Sequence, residues 1–304
     1  MIAFVFPGQG SQRSGMGRDV AEAFPEAQAV FQEADDVLGF SLSRLCFEGS
    51  DEDLSLTENT QPAILTTSTA LFRVLERFGR IPDFVAGHSL GEYSAVVAAG
   101  ALQFSDSVDL VRQRGQFMQE AVPVGEGSMA AVLGLGTSQV ESVCQDASQG
   151  EVVSPANVNS PGQIVISGSR SAVERACLIA KERGARRTIV VPVSAPFHCA
   201  LMKPAEERLA QVMRSVPFTD LRRPLVNNFG AERVTSAEAV REGLIRQVSA
   251  PVRWKEVIEV LWHQGVRTFV EVGPGKVLSR LIRQTISSAE TVQIGSRAQL
   301  EAYV

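Results

Sequence analysis

Phe84-Val85-Ala86-Gly87-His88-Ser89-Leu90-Gly91 is the stretch on which the fold turns. Its apolar opening reads as a buried strand, the glycines at 87 and 91 bracket a tight turn, and the small residues that follow through Ala99 read as a helix. Strand, glycine turn and helix in that order fit the G-x-S-x-G nucleophile elbow, in which a serine is held in a strained strand-to-helix turn with its hydroxyl presented outward. The plainer alternative is a glycine-rich turn with no chemistry.

Working outward, residues 2–6 form a second apolar strand, stopped by Pro7-Gly8-Gln9-Gly10. A long helix is expected over residues 19–38, and another over 61–78, where apolar residues recur at helical spacing until Gly79 and Pro82 end it. The rhythm then changes. Strands at 129–135, 152–157, 163–167 and 188–193 and helices at 137–147 and 171–183 give the order β-α-β-β-α-β, the ferredoxin-like pattern of a self-contained sheet with helices on one face. The competing reading continues the main sheet through this segment. Helix and strand signals then resume, with helices at 204–216, 237–247 and 255–264 and strands at 224–228 and 268–272. The expected fold is therefore α/β: an α/β-hydrolase-like core with a mainly parallel sheet, from residues 1–124 and 196–304, with an inserted ferredoxin-like subdomain over 125–195 and the active site in the cleft between them.

The 304 residues are 44% hydrophobic, enough for an ordinary core. A formal net charge of -5 argues against a general nucleic-acid binder, whose affinity comes from neutralising phosphates. The charge is uneven, with 6 basic and 12 acidic residues in 1–80 but 21 basic and 12 acidic in 170–297. That bias reads either as a solvated surface or as a face for an acidic partner. Cys46, Cys144, Cys177 and Cys199 form no C-x-x-C pair, so neither a metal site nor a disulfide framework is indicated. No basic leader opens the chain, and no run approaches the ~20 apolar residues of a membrane helix. A soluble, cytoplasmic protein is expected.

A serine hydroxyl needs a base, and histidine is the usual one. Of the three histidines, His88 adjoins the serine and points elsewhere on an elbow, and His263 lies in a helical run; both read as structural. By elimination His198 is the base, in a loop just past a strand end, where active-site residues of α/β proteins gather. No carboxylate stands out as its partner, so a backbone carbonyl is expected to orient the ring. An oxyanion hole would use the N–H of Leu90 and one from the Pro7–Gly10 loop. A nucleotide loop is disfavoured, because the third glycine falls at 15 and no G-K-[ST] follows; Gly273-Pro274-Gly275-Lys276 fails likewise.

Six motifs then act together: Phe6-Pro7-Gly8-Gln9-Gly10-Ser11-Gln12, Gly87-His88-Ser89-Leu90-Gly91-Glu92-Tyr93, Arg112-Gln113-Arg114-Gly115-Gln116-Phe117-Met118-Gln119, Asn157-Val158-Asn159-Ser160-Pro161-Gly162-Gln163, Ser194-Ala195-Pro196-Phe197-His198 and Glu271-Val272-Gly273-Pro274-Gly275-Lys276. In this order and spacing the chain resembles, end to end, the malonyl-CoA:acyl carrier protein transacylases of fatty acid synthesis. The resemblance implies a ping-pong exchange in which Ser89 takes malonyl from CoA as an ester and yields it to the phosphopantetheine thiol of acyl carrier protein. It implies that His198 is base and then acid, steadied by the main-chain carbonyls of Asn228 and Gln247, and that the N–H groups of Gln9 and Leu90 form the oxyanion hole. Arg114 matches the arginine that receives the malonyl carboxylate, and Phe197 the residue that leaves little room for an α-methyl branch.

The expected partners are then malonyl-CoA and acyl carrier protein, with CoA as co-substrate, no cofactor, no nucleic acid or membrane, and a monomeric enzyme. Lys181, Arg183, Arg186 and Arg187 are a candidate basic rim for the acidic carrier, or a set of cations favoured at a helix end. Three alternatives stay open: a serine thioesterase or esterase, an acyltransferase for another acyl-CoA, and a scaffold that keeps the fold without catalysis.

Overall fold

The computed structural model describes residues 1–304. The chain opens with β1 (Ile2–Phe6), α1 (Arg18–Ala23), α2 (Pro25–Leu38), α3 (Leu42–Glu48), α4 (Asp51–Ser55), α5 (Thr57–Arg77), β2 (Phe84–Gly87), α6 (Gly91–Ala98) and α7 (Phe104–Glu120). Its middle carries β3 (Gly127–Leu133), α8 (Thr137–Ser148), β4 (Val153–Ser160), β5 (Gln163–Ser169), α9 (Arg170–Glu182) and β6 (Arg187–Val190). The remainder is α10 (Lys203–Met213), β7 (Leu225–Val226), β8 (Arg233–Val234), α11 (Ala237–Arg246), α12 (Trp254–His263), β9 (Thr268–Val272), α13 (Val277–Thr285), β10 (Glu290–Ile294) and α14 (Arg297–Tyr303).

Six strands make the main sheet in the order β10-β9-β1-β2-β7-β8, parallel throughout except for β8. Strand β1 lies inside it and alternates its side chains between two cores. Phe4 and Phe6 pack edge-on against Phe72 of α5, both at 6.4 Å, while Ala3 and Val5 face Trp254, Leu261 and Leu281 of α12 and α13. With both faces covered, the strand is apolar along its whole length.

The middle segment builds its own antiparallel sheet, β4-β5-β3-β6, and does not extend the main one. Helices α8 and α9 bury one face around Val132, Ile166, Val143 and Ala176. Met129 and Val165, on the other face, belong to the main core. Val252 ties β4 to the rest of the molecule, donating to Ala156 O (2.8 Å) and accepting from Val158 N (2.9 Å). The mixed α/β architecture and the β-α-β-β-α-β order are those expected.

Several boundaries differ from expectation, each for a local reason. The helix expected over 19–38 breaks at Phe24, which is extended (φ -128°, ψ 119°) because Pro25 disfavours a helical residue before it. Helix α5 starts at Thr57, ahead of the apolar pattern, since its first turn is polar in sequence although Thr57 and Thr60 are buried. The strand expected over 224–228 shortens to two residues, which frees Asn228 from the sheet.

Close backbone contacts at two glycines shape the elbow. A Cβ on Gly91 would lie 2.0 Å from Phe6 O, and one on Gly87 would lie 1.9 Å from Gly91 O. Gly91→Ala should therefore lower the unfolding free energy by about 3 kcal/mol or prevent folding. Gly136→Ala, whose added carbon meets only Gln139 Oε1 at 3.6 Å, should change it little. Denaturant unfolding of the two variants checks this.

Candidate active site

Ser89 sits between β2 and α6 in the left-handed region (φ 51°), a conformation that costs a non-glycine residue about 1–3 kcal/mol and persists only when its surroundings impose it. Here they do. Phe6 O accepts the His88 N–H (3.0 Å). The Asn228 carboxamide clamps the turn on both sides, accepting from Ser89 N (2.7 Å) and donating to Gly87 O (2.6 Å). This corrects one expectation: the Asn228 carbonyl does not steady the histidine but accepts from Arg253 N (3.2 Å), and it is the side chain that works at the site.

His198, also left-handed (φ 60°), places Nε2 2.8 Å from Ser89 Oγ. Its Nδ1 lies 2.7 Å from the Gln247 carbonyl oxygen. A carbonyl can only accept, so Nδ1 carries the proton and Nε2 presents a lone pair to the serine. Burial, and then the nearby Arg114 charge, push the imidazole pKa down to about 3 against the pull of the Gln247 and Ala250 main chain. The ring is therefore neutral at pH 7, as a base must be. His88 turns away, pairing its Nε2 with Asn159 Oδ1 (2.8 Å) and lying edge-on to Trp254, while His263 is exposed at the end of α12 with Nδ1 on Glu259 O (2.7 Å).

Gln9 and Leu90 both line a cavity of about 430 Å³ that holds Ser89 and His198. Neither of their main-chain N–H groups has an acceptor within the chain. Two free donors beside a nucleophile are what an oxyanion needs. Gly8 allows the Gln9 loop to come this close, since a Cβ there would lie 2.3 Å from His88 O. The cavity's apolar wall includes Met129, Val165 and Val193 from the β3–β6 region and Phe197 beside the base.

Arg114, on α7, is 2% exposed and enters the same cavity. Its Nη1 donates to Gln61 Oε1 (2.7 Å), and its Nη2 to Gln247 Oε1 (3.0 Å) and to Ser89 Oγ (3.3 Å); the guanidinium lies 5.4 Å from the Tyr93 ring centroid. Every acceptor is neutral, and none of the ion pairs includes Arg114. Burial lowers its pKa, so the site is primed for an anion. The structure thus brings Ser89, His198, Arg114, Gln9, Leu90, Gln247 and Phe197 together. Gln61, Glu92 and the Asn228 side chain are site residues that motif reading passed over. For Gln61 and Glu92 the available signal was a polar residue inside an apolar helical run.

The chain matches the acyl transferase domain family over residues 3–300. It is 49% identical over 301 residues to the malonyl CoA-acyl carrier protein transacylase of Bacillus subtilis, covering 99% of this chain and 95% of that protein. It is 48% identical over 288 residues to the transacylase of the same name from Escherichia coli K12, covering 94% and 93%. Among solved structures it superposes on an acyl carrier protein S-malonyltransferase from Vibrio cholerae with a TM-score of 0.98 at 47% identity, covering 100% of this chain and 99% of that chain. It also superposes on a malonyl-transacylase in complex with a type II PKS acyl-carrier protein, with a TM-score of 0.97 at 46% identity, covering 99% and 98%.

A buried neutral base predicts a pH profile. An ordinary imidazole is only about 3% neutral at pH 5, whereas His198 stays neutral there because its pKa is lowered to about 3. Labelling of Ser89 by a fluorophosphonate should run at a constant rate from pH 7.5 down to 5. A midpoint near 6.5 would contradict the assignment.

Proposed function

Because the chain belongs to the acyl transferase family, among the malonyl CoA-acyl carrier protein transacylases, we propose that it moves a malonyl group from CoA to acyl carrier protein through an ester on Ser89. The observation that carries the reading is the buried guanidinium of Arg114, without a carboxylate partner, 3.3 Å from the nucleophilic oxygen.

In the first half-reaction Ser89 Oγ attacks the thioester carbonyl carbon as its proton passes to His198 Nε2. The carbonyl oxygen becomes an oxyanion between the N–H groups of Gln9 and Leu90, and collapse breaks the C–S bond. His198 returns the proton to the departing CoA thiolate. The phosphopantetheine thiol of the carrier then reverses these steps, losing its proton to His198 and expelling Ser89 Oγ. Gln247 O holds the imidazole through Nδ1 and stabilises the imidazolium between the two proton transfers. Arg114 meets the free malonyl carboxylate with two parallel charge-assisted bonds, a geometry that lysine does not reproduce. Phe197 crowds the position of an α-methyl branch, a modest preference.

The enzyme acts as a monomer in the cytoplasm, with CoA thioester as co-substrate and no cofactor. No helix is long and apolar enough to cross a membrane. Of the candidate basic rim, Arg183 pairs with Asp146 and donates to Ser142 Oγ (3.0 Å), bracing α9 against α8, which leaves Lys181, Arg186 and Arg187 to face the acidic carrier.

Intact-protein mass spectrometry after brief exposure to malonyl-CoA should show one malonyl adduct, absent in Ser89→Ala and discharged by acyl carrier protein. Arg114→Ala should cost about 100-fold in kcat/KM for malonyl-CoA and little for acetyl-CoA. Equal losses on both would point to an esterase-like site with no carboxylate pocket.

A further inference from the structure

Glu92 is fully buried in the first turn of α6, three residues after the nucleophile, and the mechanism above gives it no task. Its Oε2 accepts two N–H groups, from Asn228 N (3.0 Å) and from Gln247 Nε2 (2.9 Å), while Oε1 has no partner. Gln247 is the residue on which the site converges. Its main-chain oxygen holds His198, and its side-chain Oε1 accepts from Arg114 Nη2 at 3.0 Å.

A carboxamide has one donor end and one acceptor end. With Nε2 committed to Glu92, Oε1 faces the guanidinium. Turned over, the amide would set N–H groups against N–H groups at Arg114 and oxygen against oxygen at Glu92. Apart from Glu92, the Gln247 amide nitrogen has only a long 3.4 Å contact to Ser89 O. Gln61 fixes the other guanidinium nitrogen, so two acceptors define the plane in which Arg114 lies.

We propose that Glu92 is a positioning residue for acyl-group selection: it locks the Gln247 carboxamide in the one orientation that gives Arg114 an acceptor, and so aims the guanidinium at the acyl cavity. The proposal rests on the malonyl-transfer reading of the same site. Burial raises the Glu92 carboxyl to about 8, against the opposing pull of its hydrogen bonds from Asn228 and Gln247 and of the Arg114 charge. A glutamine at 92 presents a carbonyl oxygen to the same two donors.

The test measures kcat/KM for malonyl-CoA and acetyl-CoA on wild type, Glu92→Met, Glu92→Gln, Gln247→Met and the Glu92→Met/Gln247→Met double variant, and compares the malonyl-to-acetyl ratio. Loss of one hydrogen bond to a charged group predicts a fall of about tenfold in that ratio for Glu92→Met. Glu92→Gln should preserve it. Gln247→Met should lower it by a similar factor, whatever happens to the overall rate, and adding Glu92→Met should lower it no further, because Glu92 acts through Gln247. A purely structural Glu92 would depress both substrates equally and leave the ratio alone, or its effect would multiply with that of Gln247→Met; either result overturns the proposal. Should Glu92→Met fail to fold, an unchanged ratio in Gln247→Met or a collapsed ratio in Glu92→Gln overturns it alone. A wild-type enzyme with no malonyl preference would instead strike the underlying reading.

Discussion

The close approach of the elbow to the end of β1 is the constraint on which the site depends. Gly91 lies so near Phe6 O that no side chain fits between them, and that contact brings α6 against the loop that follows β1. One geometric fact thereby delivers two features of the candidate site. It forces Ser89 into a left-handed turn that lifts its hydroxyl, and it sets Leu90 beside Gln9, so that main-chain donors from the turns after two different strands face one cavity. The strain is offset by hydrogen bonds rather than by apolar packing, with the Asn228 carboxamide reading the elbow's donor and acceptor together.

Electrostatics then separate this site from a general serine hydrolase. A hydrolase triad carries a carboxylate behind its histidine, whereas His198 has a main-chain carbonyl there and a cation close by. A buried carboxylate in that place would compete with substrate for Arg114. With a neutral carbonyl behind the imidazole and neutral amides around the guanidinium, the cavity holds a positive charge awaiting its counter-ion. The cost of burying that charge falls on the free enzyme, and in the proposed reaction a carboxylated acyl group would relieve it. In that reading selectivity follows from what the site omits as much as from what it contains.

The fold was largely legible because its signals are local. A glycine-bracketed turn between an apolar strand and a small-residue helix identifies an elbow, and the change of rhythm after residue 128 announces a second sheet. Boundaries slipped where one residue overrode periodicity, as Pro25 does at Phe24, or where a polar turn is buried, as at Thr57. Ser89 and His198 could be proposed as nucleophile and base by residue type. Arg114 could not, since in sequence it is one more charged residue on a helix, and only the resemblance to known transacylases singled it out. Asn228 shows the other limit. Its side chain, and not the expected main-chain carbonyl, meets the elbow, because whether main chain or side chain faces a site depends on where the strand ends, and β7 stops at Val226. Gln61, Glu92 and the Gln247 side chain form a hydrogen-bonded network around Arg114 that exists only once α5, α6 and the end of α11 are packed together.

Arg114 is the proposed receiver of the substrate's free carboxylate. The most direct measurement is a crystal structure of the malonyl-Ser89 ester, trapped by flash-cooling crystals soaked in malonyl-CoA. The distal carboxylate should lie against Arg114 with two N–H···O bonds, displacing the resting contact to Ser89 Oγ, while the ester carbonyl oxygen points at the N–H groups of Gln9 and Leu90. A carboxylate turned to solvent, with Arg114 still bound to its resting partners, would contradict it.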